Sequence, residues 1–221
     1  MEKKNIAYKL LANARIYSAF QRIVRGKEPK IYLLIKKICK EFYSNHGRNP
    51  ILLDLGCGEG ELCNWIYEDC KYYGVDYSEK YLSHASKKFK DKGEFMKINL
   101  SSRDHCAELS KNWDIIIGIG VMHHLANDDV LNIKQYIMDA NPNAIVLTID
   151  PVLLEKQNFI AKFIVSRDRG SYVRTLVKYQ ELMQDYNYHL DNFSRIPYNH
   201  ILFHRNVNLI THLDGISLLK A

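Results

Sequence analysis

The chain has 221 residues, of which 47% are hydrophobic and 25% charged, with a formal net charge of +6. Those proportions suit one large soluble domain, or one domain with a small attachment, and leave room for a sizeable core. No apolar run reaches the roughly 18 residues of a bilayer-crossing helix, and the modest, dispersed positive charge permits an anionic partner without demanding nucleic acid.

The start, MEKKNIAYKL, lacks the apolar stretch and small-residue cleavage site of a secretory leader. The five cysteines, Cys39, Cys57, Cys63, Cys70 and Cys106, are odd in number and form no CxxC. Both features predict reduced thiols in a cytoplasmic protein.

In chain order, residues 1–47 predict helices. Leu10, Leu11, Ile16, Tyr17, Phe20 and Ile23 recur at helical spacing, as do Ile31, Leu34, Ile35 and Ile38, with Gly26 and Pro29 between the two sets. These helices form an expected cap or lid, and a domain over 48–221 follows the loop at His46-Gly47 and Pro50. ILLDL (51–55) is short and almost wholly apolar, as a buried parallel strand is. A helix is expected over 60–69, a strand over 71–77, and a helix over 78–90 with Ser78 as its N-cap. Further strands are expected over 94–99, 113–121 and 143–150, with a helix over 128–140. Strands alternating with helices predict an α/β fold: a Rossmann-like, doubly wound, mostly parallel sheet. From about residue 151 the pattern changes to helices over 155–166 and 175–186. Strands over 188–193 and 199–204 then predict an antiparallel pair at one sheet edge.

Gly56, Gly58 and Gly60 directly follow the first strand, in LGCGEG. In an open parallel sheet, ligands sit beyond the carboxyl ends of the strands. Glycines there let the backbone turn sharply and approach a ligand closely. The spacing is GxGxG followed by Glu61, where a dinucleotide fingerprint would want glycine or alanine against a pyrophosphate. Asp76 closes the second strand, placed to accept from two ribose hydroxyls. Together these residues predict a ribose-bearing ligand without a pyrophosphate.

DLGCGEG (54–60), GVDYSEKYL (74–82), FMKINL (95–100) and WDIIIGIGVMHHL (113–125), in that order and spacing, resemble the motifs of class I S-adenosylmethionine-dependent methyltransferases. A narrower resemblance, through NARIYSAFQRIVRG (13–26), SRDRGSYVR (166–174) and RIPYNH (195–200), is to a group of bacterial small-molecule methyltransferases. The resemblance implies the seven-stranded methyltransferase fold and S-adenosyl-L-methionine as cofactor, with S-adenosyl-L-homocysteine as product. It implies a small-molecule acceptor and cofactor contacts at Asp54, Gly56, Cys57, Gly58, Asp76, Tyr77, Asn99, Leu100, Ile119 and Gly120. Asp54 either orders the glycine loop and faces the ligand's ammonium through water, or is a strand-end carboxylate that bonds loop amides. Tyr77 and Leu100 either sandwich the adenine or pack. Asn99 stands where relatives carry an acid; its carbonyl oxygen can still accept. NPNA (141–144) replaces a common proline-glycine-glycine turn.

His123 follows the fourth strand and is a candidate base, against a role in capping or packing the next helix. Candidate substrate contacts are Tyr17, Gln21, His124, Arg167, Arg169, Arg174, Tyr198 and His200. For the three arginines the alternative is an internal network that pins the C-terminal segment. No Cys or His set has the spacing of a zinc site. A monomer or homodimer is expected, with no membrane insertion. An RNA-directed methyltransferase, a non-catalytic S-adenosylmethionine-binding partner protein and a nicotinamide oxidoreductase stand as rival readings; no NPPY-like turn or dense basic stretch supports the nucleic-acid one.

Overall fold

The computed structural model describes residues 30–107, 109, 112–157, 162, 165, 170–191 and 199–208. The first described element is helix α1 (Lys30–His46), whose buried residues include Ile31, Leu34, Ile35, Ile38 and Phe42, as the helical spacing predicts. The sheet follows: β1 (Ile51–Leu55), β2 (Lys71–Asp76), β3 (Glu94–Lys97), β4 (Ile115–Ile119), β5 (Ile145–Leu153), β6 (Arg174–Thr175), β7 (Asn187–Asp191) and β8 (His200–Arg205). Between them run α2 (Cys63–Ile66), α3 (Glu79–Lys88), α4 (Arg103–Ala107), a short tight turn of helix at Met122–His124, α5 (Asn127–Ala140) and α6 (Leu176–Leu182).

The strands lie in the order β3-β2-β1-β4-β5-β8-β7, with β6 pairing β5 off that path. Strands β1 to β5 are mutually parallel, and β8 runs antiparallel to both β5 and the edge strand β7. The register brings Leu55 beside Val75 and Gly118, so the carboxyl ends of β1, β2 and β4 share one edge.

Both faces of the sheet are covered, which is why the strands read as continuous apolar runs. On one face Leu53, Leu55, Ile116 and Val146 pack with Val130, Ile133 and Ile137 of α5 and Tyr179 and Leu182 of α6. On the other, Leu52, Ile115, Ile117 and Leu147 pack with Leu34, Ile35 and Ile38 of α1, Cys63 and Ile66 of α2, and Ala85 of α3. The Ser78 side chain accepts from Tyr81 N–H and caps α3, as expected.

Some boundaries differ from expectation. The helix expected over 60–69 is α-helical only at Cys63–Ile66. Asn64 N–H bonds to Glu61, Trp65 to Leu62 and Asp69 to Ile66, three residues back each time, so the segment winds tighter than an α-helix. Helix α4 was not expected. Strand β5 runs on to Leu153 because Pro151 lies past the last β4 pair, Ile119–Ile149, where the ladder to β4 has ended. The helix expected over 155–166 falls largely outside the described residues, as do residues 1–29 of the expected cap. Among the described residues no helix is long and apolar enough to cross a membrane.

His204 on β8 stacks on His189 of β7, with ring centroids 5.1 Å apart. Burial and the neighbouring His189 push its pKa down to about 4, against a weaker opposing bond from its ring to the Val207 carbonyl. A histidine depressed in the folded state takes up its proton more readily when unfolded. Stability is therefore full above the ordinary value of 6.5 and is lost as pH falls towards the folded value. We expect urea denaturation to show a loss of about 1–2 kcal/mol between about pH 7 and pH 5, reduced in His204→Gln to the part that His189 contributes, since burial lowers its pKa too.

Candidate active site

The loop after β1 answers the question its three glycines raise. Gly56, Gly58 and Gly60 all take positive φ, 68°, 55° and 74°. Side-chain-bearing residues resist that region by roughly 1–2 kcal/mol each. A Cβ on Gly56 would come 2.8 Å from Val121 Cγ2, and one on Gly60 would come 2.9 Å from Phe95 Cε1. A Cβ on Gly58 would meet nothing within 4 Å, so that glycine faces open space. Two of the glycines thus let the loop pack on the sheet, and the third leaves a bare backbone surface.

Asp76 closes that surface from β2. Its Oδ2 accepts from Gly58 N–H at 3.0 Å and its Oδ1 from Ser78 N–H at 2.8 Å. Its residue is only 7% exposed, and the two amides hold the carboxylate in one orientation. Each oxygen keeps lone-pair capacity for a further donor. Tyr77, next along, is 73% exposed and offers a planar face. Ile119 and Gly120 end β4, half-buried, and Gly120 also takes positive φ, at 66°.

Asp54 lies on the face of the sheet that α1, α2 and α3 cover, where Tyr72 Oη donates to its Oδ2 at 2.5 Å. Burial and the Asp54 charge hold that phenol protonated, well above its ordinary range. Burial first, then the charges of Asp54 and Asp76, also raise the Cys57 thiol far above its usual value, and the Cys63 thiol is pushed up to about 12. Neither sulfur is a thiolate nucleophile at neutral pH.

At the ends of β4 and β5, His123 Nδ1 lies 2.7 Å from Asp150 Oδ1, and both side chains are buried. The exposed His124 ring lies 4.1 Å from that of His123, centroid to centroid. His200 pairs with Pro151, which brings it to the same end of the sheet. Among the described residues no group of His, Cys, Asp and Glu could hold a metal ion.

A family model described as a methyltransferase domain matches residues 53–146. A curated relative, the ubiquinone biosynthesis O-methyltransferase of Agrobacterium fabrum, is 28% identical over 121 residues, covering 50% of this chain and 47% of the relative. The chain thus matches about half the length of that enzyme. Among solved structures, a plantazolicin methyltransferase in complex with a desmethyl-plantazolicin analogue and S-adenosylhomocysteine superposes with a TM-score of 0.58 at 14% identity. That match covers 91% of this chain and 95% of that one. A magnesium protoporphyrin IX methyltransferase from Synechocystis gives 0.53 at 17% identity, over 91% and 98% of the two chains. Residues 53–146 of this chain thus match a methyltransferase domain. At such identities the structural likenesses speak to its fold.

Several expected contacts take other work in this chain. Arg174 is buried at 5% exposure and turned inward. Its Nε donates to Asn127 Oδ1, one terminal nitrogen to the Met122 and Tyr172 carbonyls, and the other to the Leu125 carbonyl. The expected substrate contact is corrected to a clamp on the turn that carries His123. Leu100 is 7% exposed and packs in the core cluster that holds Cys106 and Trp113, the packing alternative given for it. Asn99 Oδ1, the expected adenine acceptor, accepts from Ser101 N–H at 3.1 Å and shapes its own loop. Tyr17, Gln21, Arg167, Arg169 and Tyr198 lie outside the described residues.

The same end of the sheet also holds a residue that the sequence did not single out, Asp150. The only signal was a carboxylate at the end of the apolar run NAIVLTID. A charge there is costly unless partnered, so a partner should have been sought.

Proposed function

We propose that this domain transfers the methyl group of S-adenosyl-L-methionine to an oxygen or nitrogen of a small-molecule acceptor, releasing S-adenosyl-L-homocysteine. The observation that carries the reading is the bare backbone at Gly58, joined by its own N–H to the Asp76 carboxylate. A cradle that a Cβ would fill, beside an oriented acceptor at the end of β2, suits a ribose diol.

Gly56, Cys57 and Gly58 offer backbone to the ligand, Asp76 accepts from the ribose, and Tyr77 covers one adenine face. The loop at Asn99, and Ile119 and Gly120 at the end of β4, complete the wall, while Asp54 steadies the sheet behind the glycine loop through Tyr72. The cofactor supplies an already activated methyl group. The protein's share is alignment of the acceptor and exclusion of water, and proximity alone supplies up to about 7–11 kcal/mol. His124 and His200, with Tyr17, Gln21, Arg167, Arg169 and Tyr198, are the residues we assign to the acceptor side. The curated relative's printed name, an O-methyltransferase, supports an oxygen acceptor.

Calorimetric titration tests the reading. We expect micromolar binding of S-adenosylmethionine and S-adenosylhomocysteine and no response to NAD. Folded protein that binds neither adenosyl ligand would end the methyltransferase reading.

A further inference from the structure

The His123–Asp150 pair is held more firmly than packing requires. Asp150 Oδ1 accepts twice from the same residue, from His123 Nδ1 at 2.7 Å and from His123 backbone N–H at 3.1 Å. One oxygen therefore fixes both the ring and the backbone that carries it. The His123 carbonyl accepts from Tyr172 N–H at 3.0 Å. Arg174 grips the Met122 and Leu125 carbonyls on either side. Gly170 packs closely against the ring and its backbone. A Cβ there would overlap the ring carbon Cδ2 and lie 2.6 Å from the His123 carbonyl oxygen, so no larger residue fits without displacing the histidine.

This construction stands at the carboxyl ends of β4 and β5, the end of the sheet that holds Gly58 and Asp76 and the end at which open α/β sheets bind ligands. The side chains of His123 and Asp150 are 6% and 3% exposed. Burying such a pair offers little stability over an apolar pair of the same size. A carboxylate oxygen only accepts, so Nδ1 donates and the lone pair of a neutral ring lies on Nε2.

We propose that His123, held in its Nδ1–H tautomer by Asp150, takes the proton of the methyl acceptor, and that the acceptor is therefore a hydroxyl or amine and not a carboxylate. Asp150 and Gly170 are positioning residues. The inference rests on the methyltransferase reading. In the step, the acceptor's X–H bond breaks and its proton goes to Nε2. The X electron pair bonds to the methyl carbon, the carbon–sulfur pair stays on sulfur, and the imidazolium later yields its proton to water.

The test has two parts. In protein labelled with 15N-histidine and saturated with S-adenosylhomocysteine, two-bond 1H–15N spectra report each nitrogen, with His123→Gln giving the assignment. The expected result is a neutral His123 ring protonated on Nδ1. A ring protonated on both nitrogens, or on Nε2 alone, overturns the proposal. In the second part, transfer of tritiated methyl is followed to a panel of phenols, amines and carboxylates. His123→Gln should lower kcat on a hydroxyl or amine probe by about 100-fold. Asp150→Asn can still present an oxygen to both donors while losing the charge. It should lower kcat by about tenfold and leave KM for S-adenosylmethionine unchanged. A purely structural pair would instead shift cofactor affinity and stability and leave kcat alone. Protein that binds S-adenosylhomocysteine but methylates only carboxylates, or no hydroxyl or amine probe, counts against the proposal. Protein that binds no adenosyl ligand counts against the reading beneath it.

Discussion

Arg174→Ala is expected to lose about 3–5 kcal/mol of folding stability. The wild-type guanidinium uses all three nitrogens on internal acceptors, and three of its four bonds go to backbone carbonyls, those of Met122, Leu125 and Tyr172. Those of Met122 and Leu125 lie at buried residues. Truncation strands the Leu125 carbonyl and leaves that of Met122 with the Leu125 N–H alone, at about 1–3 kcal/mol for each bond lost in the interior. It also removes a cation that lies 5.6 Å from the Tyr179 ring. Lysine would rescue little, since one ammonium cannot reproduce a planar fork reaching several carbonyls. Urea denaturation measures the loss as a lower midpoint at unchanged slope. A variant with the wild-type midpoint would return Arg174 to substrate binding.

That clamp also shows where sequence reading stopped. Gly56, Gly58 and Gly60 were legible because a glycine run directly after a stiff apolar strand has few uses, and positive φ is the commonest. Asp76 was legible because chain spacing alone puts it at the end of the neighbouring strand. The alternating strands gave the sheet, since a fully covered sheet prints itself as apolar runs. Arg174 differs because its partners are carbonyls of the MHHL turn, and backbone acceptors leave no signature in a sequence. Asp150 meets His123 only because β4 and β5 are neighbours and Asp150 stands one residue past their last pair, Ile119–Ile149, a relation between residues 27 apart. Leu100 follows a half-buried strand whose burial pattern does not alternate cleanly, so nothing in FMKINL marked which way its side chain would turn.

Asp76→Ala should weaken S-adenosylhomocysteine binding by about 100-fold, equivalent to about 2.8 kcal/mol. Two charge-assisted bonds to a ribose diol account for a loss of that size. The substitution also releases Gly58 N–H and Ser78 N–H, so part of the effect could come from a loosened loop. Asparagine does not separate the two causes. Both Asp76 oxygens already accept from backbone amides, so the NH2 of an asparagine would face one of those N–H groups. A thermodynamic cycle does separate them. S-adenosylhomocysteine and its 2′-deoxy analogue are titrated against wild type and Asp76→Ala. If the carboxylate holds the ribose, removing the 2′-hydroxyl costs affinity in wild type and almost nothing in the variant, a coupling of about 1 kcal/mol or more. If Asp76 only orders the glycine loop, the two losses add, and the ribose assignment falls while the loop assignment stands.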